Sequence, residues 1–233
     1  MTNPAARRAF TVVELIAVMA ILLVGLALVI PALSAARMNA NRSQCASNLR
    51  QIGMALHLYA NENNGFFPPT THTTGSRRVE QSWVYGIADY LDDIDKIRVC
   101  PADPPARQQQ ILSRHATSYA LNELVFDDEN YNQVYRISRP SQTLLAAILS
   151  ENRTPSPTWD HMHCGEWTSW QKMLNDAQAD RHMVGAPAQA AAQRIRGSAN
   201  YLFADGHVEN IPAAEMKRRL DSGINPAEVP VSP

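Results

Sequence analysis

The sequence predicts an α+β fold: one long N-terminal helix, transmembrane in its first half and amphipathic in its second, packed on a small antiparallel sheet. Three observations point there. From Phe10 to Ile30 the only ionisable residue is Glu14. Farther on, Cys45, Leu49, Ile52, Leu56 and Tyr59 recur at helical spacing as one apolar stripe. Beyond Pro69, short apolar runs bounded by turn residues take over. The clearest are Thr143 to Leu149 and the pair Asn200 to Phe203 and His207 to Ile211, which flank an Asp205-Gly206 hairpin turn.

The helix is justified first by its length. At about 1.5 Å per residue, the run from Phe10 to Ile30 covers roughly 30 Å, the hydrocarbon thickness of a bilayer. Arg7 and Arg8 precede it with no acidic residue upstream, so the positive-inside bias holds the N-terminus in the cytoplasm. The expected topology is single-pass in the cytoplasmic membrane, with the remainder periplasmic or extracellular. Pro31 is expected to bend or loosen the helix. No Gly or Pro follows until Gly53, and Asn61 to Pro69 carries the residues that end a helix. One helix is therefore expected from about Phe10 to Asn61.

Past the helix, residues 70–78 read as a loop and Ser82 to Leu91 as a short helix or extended piece with aromatic anchors. Ile97 to Pro101, Thr117 to Asn122 and Gln133 to Ile137 read as further strands. Asn152 to Thr158 reads as a Pro-rich linker, 183–195 as a low-complexity insertion and the tail from Asp221, with its prolines, as loosely ordered. No internal repeat is evident.

Composition narrows the function. In 233 residues, 21 basic side chains balance 22 acidic ones and no Lys/Arg block stands out, so no nucleic-acid partner is expected. No nucleophile elbow, phosphate-cradling glycine loop or acid pair occurs, and no enzyme is expected. Three cysteines allow one disulfide with one thiol left over. Among the three pairings Cys100–Cys164 is favoured, because Cys45 belongs to the helix stripe, where a buried thiol is the usual state. His161-x-His163-Cys164 has metal-ligand character, since imidazole and thiolate suit zinc. With no fourth ligand, a solvent-exposed loop is the preferred reading. Asp103 and Asp205 could offer oxygens to calcium, but without EF-hand spacing each reads as a turn residue. No cofactor is expected.

Glu14 stands out, because a carboxylate within a membrane span costs a few kcal/mol, on the order of 3, unless shallow, protonated or paired. Its setting, Arg7-Arg8-Ala9-Phe10-Thr11-Val12-Val13-Glu14-Leu15, resembles the processing site of type IV prepilins and type II secretion pseudoprepilins. The resemblance implies cleavage between Ala9 and Phe10 by a prepilin peptidase, methylation of the new N-terminus, and Glu14 as fifth residue of the mature chain. The family normally has Gly where this chain has Ala9. Physically, the Phe10 α-ammonium of one subunit and Glu14 of its neighbour would neutralise each other and set axial register. An ordinary anchor with an incidental Glu is one alternative. A secretory signal cut near Ala32-Leu33-Ser34 is another, against which the apolar run is too long.

Three further segments resemble prepilin-like proteins bearing the domain of unknown function 1559: Cys45-Ala46-Ser47-Asn48-Leu49-Arg50-Gln51-Ile52-Gly53, Val99-Cys100-Pro101-Ala102-Asp103, and Ala199 to Val208 with its Asp-Gly-His. The His of that family's closing signature is matched by Ile195, and Arg181-His182 is similar to its Arg-His pair, displaced by the insertion. The implied organisation is a cleaved leader (1–9), a transmembrane helix (10–31), an exported helical half (32–61), a pilin-like head (62–220) and a tail (221–233). The implied function is a pseudopilin or pilin-like filament subunit, whose partners are prepilin peptidase, other such subunits and inner-membrane assembly machinery. The alternatives are a membrane-tethered binding domain that does not polymerise, and a secreted binding protein freed by signal peptidase.

Overall fold

The computed structural model describes residues 11–75, 82–182 and 194–230, the side chain of Leu28 apart. The chain divides into two units, Met1–Arg37 and Met38–Pro233. A single helix, α1 (Val12–Glu62), makes up nearly all of the described part of the first unit and opens the second. Pro31 lies inside it and the helix runs on. Proline has no N–H, so one backbone donor of the helix is missing there.

In the first unit, α1 is long and apolar enough to cross a membrane. Its side chains have no cover: Val12, Val13 and Ile21 are 73%, 75% and 72% exposed. An apolar surface of this extent is what lipid or a packed helix covers.

In the second unit the stripe faces inward as expected. Cys45, Leu49, Ile52 and Leu56 are fully buried and Tyr59 partly so. Each buried Leu or Ile contributes roughly 1.5–3 kcal/mol. Gly53 sets the closest approach, because a Cβ there would lie 2.8 Å from Leu202 Cδ1. Gly53→Leu is therefore expected to overpack this contact and destabilise the head by about 1–3 kcal/mol, read as a lowered denaturation midpoint with an unchanged m-value. The helix stops where Asn64 and Gly65 take positive φ (54° and 85°) and Gly65 N–H donates back to Ala60 O at 2.7 Å. A side chain at position 65 would collide with the Tyr135 ring.

Among the described residues, seven short α-helices follow α1: α2 (Thr71–Thr74), α3 (Trp83–Gly86), α4 (Ile94–Ile97), α5 (Pro105–Ser113), α6 (Glu123–Phe126), α7 (Trp170–Asp176) and α8 (Ala213–Asp221). Five strands, β1 (Tyr119–Asn122), β2 (Leu144–Ile148), β3 (His161–Met162), β4 (Ser198–Phe203) and β5 (Val208–Pro212), form one sheet in the order β3-β1-β2-β4-β5. Every residue of β1, β2 and β4 is buried. The β4–β5 hairpin turns at Asp205-Gly206, with Gly206 at φ 87°, as its sequence foretold.

The fold class is as expected, with corrections of detail. Residues 70–78 read as a loop, yet Thr71–Thr74 form α2, with Thr70 Oγ1 accepting from Thr73 N–H at 3.3 Å. The sheet is mixed rather than wholly antiparallel: β3 runs parallel to β1, with Leu121 opposite His161. It reaches that edge after a long excursion from β2, so no hairpin dictates its direction. Ile97 to Pro101 is not a strand. Asp93 caps α4 by accepting from Lys96 N–H at 3.2 Å, and a turn closed by Asp103 N–H on Cys100 O follows. Gln133 to Ile137 is a single helical turn carrying one bridge, Phe66 to Gln133. The tail is not loose as far as Pro230: Ala227 and Val229 are buried, and Asn122 Nδ2 donates to Ala227 O at 2.7 Å. Most of the low-complexity insertion, 183–193, lies outside the described residues.

Candidate functional site

At the head of α1, Thr11 and Glu14 form a capping box. Thr11 N–H donates to Glu14 Oε2 at 2.9 Å, the Thr11 hydroxyl donates to the same oxygen at 2.8 Å, and Glu14 N–H approaches Thr11 Oγ1 at 3.2 Å. A helix start leaves backbone donors unsatisfied, and this reciprocal arrangement answers two of them. The signal that could have found it is the Thr-x-x-Glu spacing ahead of an apolar run. Ala9 and Phe10, the expected processing site, lie outside the described residues.

A second constellation sits where α1 meets the rest of the second unit. Asn200 Nδ2, on β4, donates to Arg42 O at 2.9 Å, and Asn48 Nδ2 donates to Val99 O at 3.1 Å and Lys96 O at 3.3 Å. Cys45 lies between these two fastenings, one helical turn from each. Its thiol is fully buried, with Cys100, His182 and Tyr119 as its polar neighbours. His182 Nε2 stands 3.3 Å from Asn200 Nδ2, an amide donor, so its ring proton sits on Nδ1. His182 Nδ1 and Tyr119 Oη have no hydrogen-bond partner. Burial pushes the Cys45 thiol up, but its neighbours Cys100 and His182 bring it below its ordinary value. Cys100 is pushed well above its ordinary value, by the neighbouring Cys45 and by burial.

The expected Cys100–Cys164 disulfide is not formed. All three thiols are free and buried, and the neighbour of Cys100 is Cys45. Cys164 lies elsewhere, its thiol raised by burial and by Glu123 and Asp176.

Beside the thiols, Asp103 is an ion-pair partner rather than a calcium ligand. Arg181 Nη2 lies 2.9 Å from Asp103 Oδ1, the Ser118 hydroxyl donates to Oδ2, and Arg107 stands 3.7 Å away. Arg181 also pairs with Glu151. Arg181 and His182, flagged in the sequence as a displaced pair, thus have distinct partners, Asp103 for one and Asn200 for the other. Next to this region a groove of about 460 Å³ is lined by Gln44, Asn48, Lys96, Val99, Pro101 and Gln108, among others.

The His161-x-His163-Cys164 segment is not the exposed loop expected, for His161 and Cys164 are buried. The rings of His161 and His163 meet edge to face at 5.0 Å, and His72 stacks on His161 at 5.0 Å. Each imidazole has its own carboxylate: Asp127 for His72 and Asp160 for His161, both at 3.0 Å, and Asp176 for His163 at 3.9 Å. No group of three or more His, Cys, Asp or Glu side chains among the described residues is placed to hold a metal ion. Asp205 is a turn residue: it accepts from His207 N–H at 3.1 Å, and the His207 ring stacks on Phe203 at 4.5 Å. Burial works against its carboxylate, yet the bonds from His207 hold it below the usual range.

The helix face bearing Cys45 and Asn48 and the segment bearing Cys100 and Asp103 are recognised together by one family model. Residues 34–136 match SBP_bac_10, described as a protein of unknown function (DUF1559). The match spans under half of the chain. It takes in the first two head segments on which the resemblance was drawn, while the N-terminal processing motif and the Asp-Gly-His hairpin fall outside it. No curated protein matches the chain, and no solved structure does.

Proposed function

We propose that this chain is a pilin-like subunit of the pseudopilin type, structural rather than catalytic. In this reading a prepilin peptidase removes the leader between Ala9 and Phe10. The helix beyond holds the protein in the cytoplasmic membrane with its N-terminus inside and its head exported, and inner-membrane machinery stacks copies through their N-terminal helices.

The observation that carries the reading is α1 itself. One unbroken helix is apolar and uncovered over its first part, bears a single carboxylate at its mouth, and contributes the core stripe Cys45–Leu56 farther along. A carboxylate there is expensive for a solitary anchor and useful where a neighbour brings a positive charge. The family match over 34–136 supports the same reading from the head.

Mass spectrometry of the mature protein tests it. The chain is expected to start at Phe10, methylated, and a bulky residue in place of Ala9 is expected to block the cut. A mature start near Ala35 would sink the reading. A second reading, a tethered head that binds a ligand without polymerising, draws on the groove beside Asn48. Substitution of Glu14 separates the two.

A further inference from the structure

We propose that Cys45 and Cys100 become joined by a disulfide that fastens α1 to the turn before α5, leaving Cys164 as the odd, inert thiol. The placement comes first from backbone anchors. Asn48, one turn beyond Cys45, holds the carbonyl of Val99, the residue next to Cys100, at 3.1 Å. Cys100 is held in its own place by donating its N–H to Ser118 Oγ at 2.8 Å. The two side chains are then neighbours in one core, each fully buried. Buried thiols usually behave as small apolar groups. These two sit instead among a histidine, a tyrosine and an Asp103–Arg181 ion pair, and the Tyr119 hydroxyl and His182 Nδ1 lack hydrogen-bond partners.

The inference rests on the exported-head reading, because only an oxidising compartment keeps such a bond. The oxidant is itself a disulfide, from an exchange catalyst in the cell or from oxidised glutathione in solution. The thiolate of one cysteine attacks it, the oxidant's S–S bond breaks, and one oxidant thiolate leaves behind a mixed disulfide. The second cysteine then gives up its proton and attacks the sulfur of the first, expelling the other half of the oxidant. Two electrons pass to the oxidant, and the two protons end on its two thiols. Neither sulfur is accessible in the folded head, so the exchange takes place before α1 docks.

The test uses the full chain in detergent. It is unfolded with reductant, refolded in a glutathione buffer, blocked with a maleimide, digested and mapped. The expected product is a Cys45–Cys100 cross-linked peptide, with Cys164 labelled only after denaturation. A Cys100–Cys164 cross-link, or three labelled thiols, overturns the pairing. Oxidised and reduced wild type are then melted side by side. Reduction is expected to lower Tm by roughly 5–10 °C, and equal Tm values count against a stabilising bond. Cells quenched in acid and alkylated supply the remaining arm. A pair that forms in glutathione but stays reduced in cells overturns the export reading, whereas failure in glutathione overturns the pairing wherever the head resides.

Discussion

Glu14→Gln is expected to lower self-association of the full chain in membranes by roughly two to three decades while leaving the start of α1 intact. Glutamine at this position still reaches back to Thr11 N–H, so the capping box survives the change. What goes, on the proposed reading, is the negative charge opposite the α-ammonium of a processed neighbour. Breaking one member of a buried pair typically costs ~3–5 kcal/mol, which converts to that many decades in an assembly constant. Thr11→Val does the reverse. It keeps the carboxylate and removes the hydroxyl of the cap, at about 1 kcal/mol of helix stability and with little effect on assembly. Glu14→Leu should ease membrane insertion yet assemble as poorly as Glu14→Gln. Cross-linking ladders from the three variants, compared with wild type, give the answer. A wild-type ladder from Glu14→Gln with a shortened one from Thr11→Val would make Glu14 a capping residue and nothing more, and the filament reading would lose its best support.

Asp160→Ala is expected to destabilise the head by about 3–5 kcal/mol, a fall in Tm of roughly 10 °C. Asp160 is fully buried and is a hub for its surroundings. Its carboxylate accepts from Thr71 N–H at 3.1 Å, the Thr71 hydroxyl at 2.7 Å and the Ser82 hydroxyl at 2.9 Å, and lies 3.0 Å from His161 Nδ1. Its backbone carbonyl accepts from Trp83 Nε1 at 2.7 Å, so one residue ties α2 and α3 to the β3 edge. Alanine strands those donors in a dry interior, where an unmet donor costs more than a met one contributes. Asp160→Asn keeps the shape and one acceptor oxygen and should lose less than half as much. Thermal melts of the full chain in detergent check both. An alanine variant within about 1 kcal/mol of wild type would mean that water reaches the donors and that the hub is not dry.

The features legible in the sequence were those with a period or a fixed turn chemistry. The stripe from Cys45 to Tyr59 repeats often enough to define a buried face, and Asp205-Gly206 between two apolar runs admits few readings other than a hairpin. Side chains whose partners are remote in sequence were not legible. Asn48 falls off the apolar stripe of its helix, yet it is buried because carbonyls some fifty residues away need a donor. Ile97-Arg98-Val99 alternates like a strand with an exposed arginine. In fact the Arg98 guanidinium is buried, donating to the carbonyls of Ile111 and Ala116, and the segment turns around it. The tail reads as loose from its prolines, whereas Asn122 and Asn225 tie it down through Ala227 O and Cys164 O. Cysteine pairing failed for the same reason. Burial of Cys45 was correctly expected, but burial on a helix does not say which other thiol shares the interior.

The sheet's two margins have a consequence for how copies of this protein can and cannot join. On one side β3 is only two residues long; on the other, β5 turns Glu209 and Asn210 to solvent and ends in Pro212, which has no N–H to offer. A stray extended chain needs a long rim of free backbone groups beside apolar side chains, and neither margin supplies one. The head is thus guarded against runaway strand-to-strand growth between copies. On the proposed reading, the joining of subunits is left to helical surfaces.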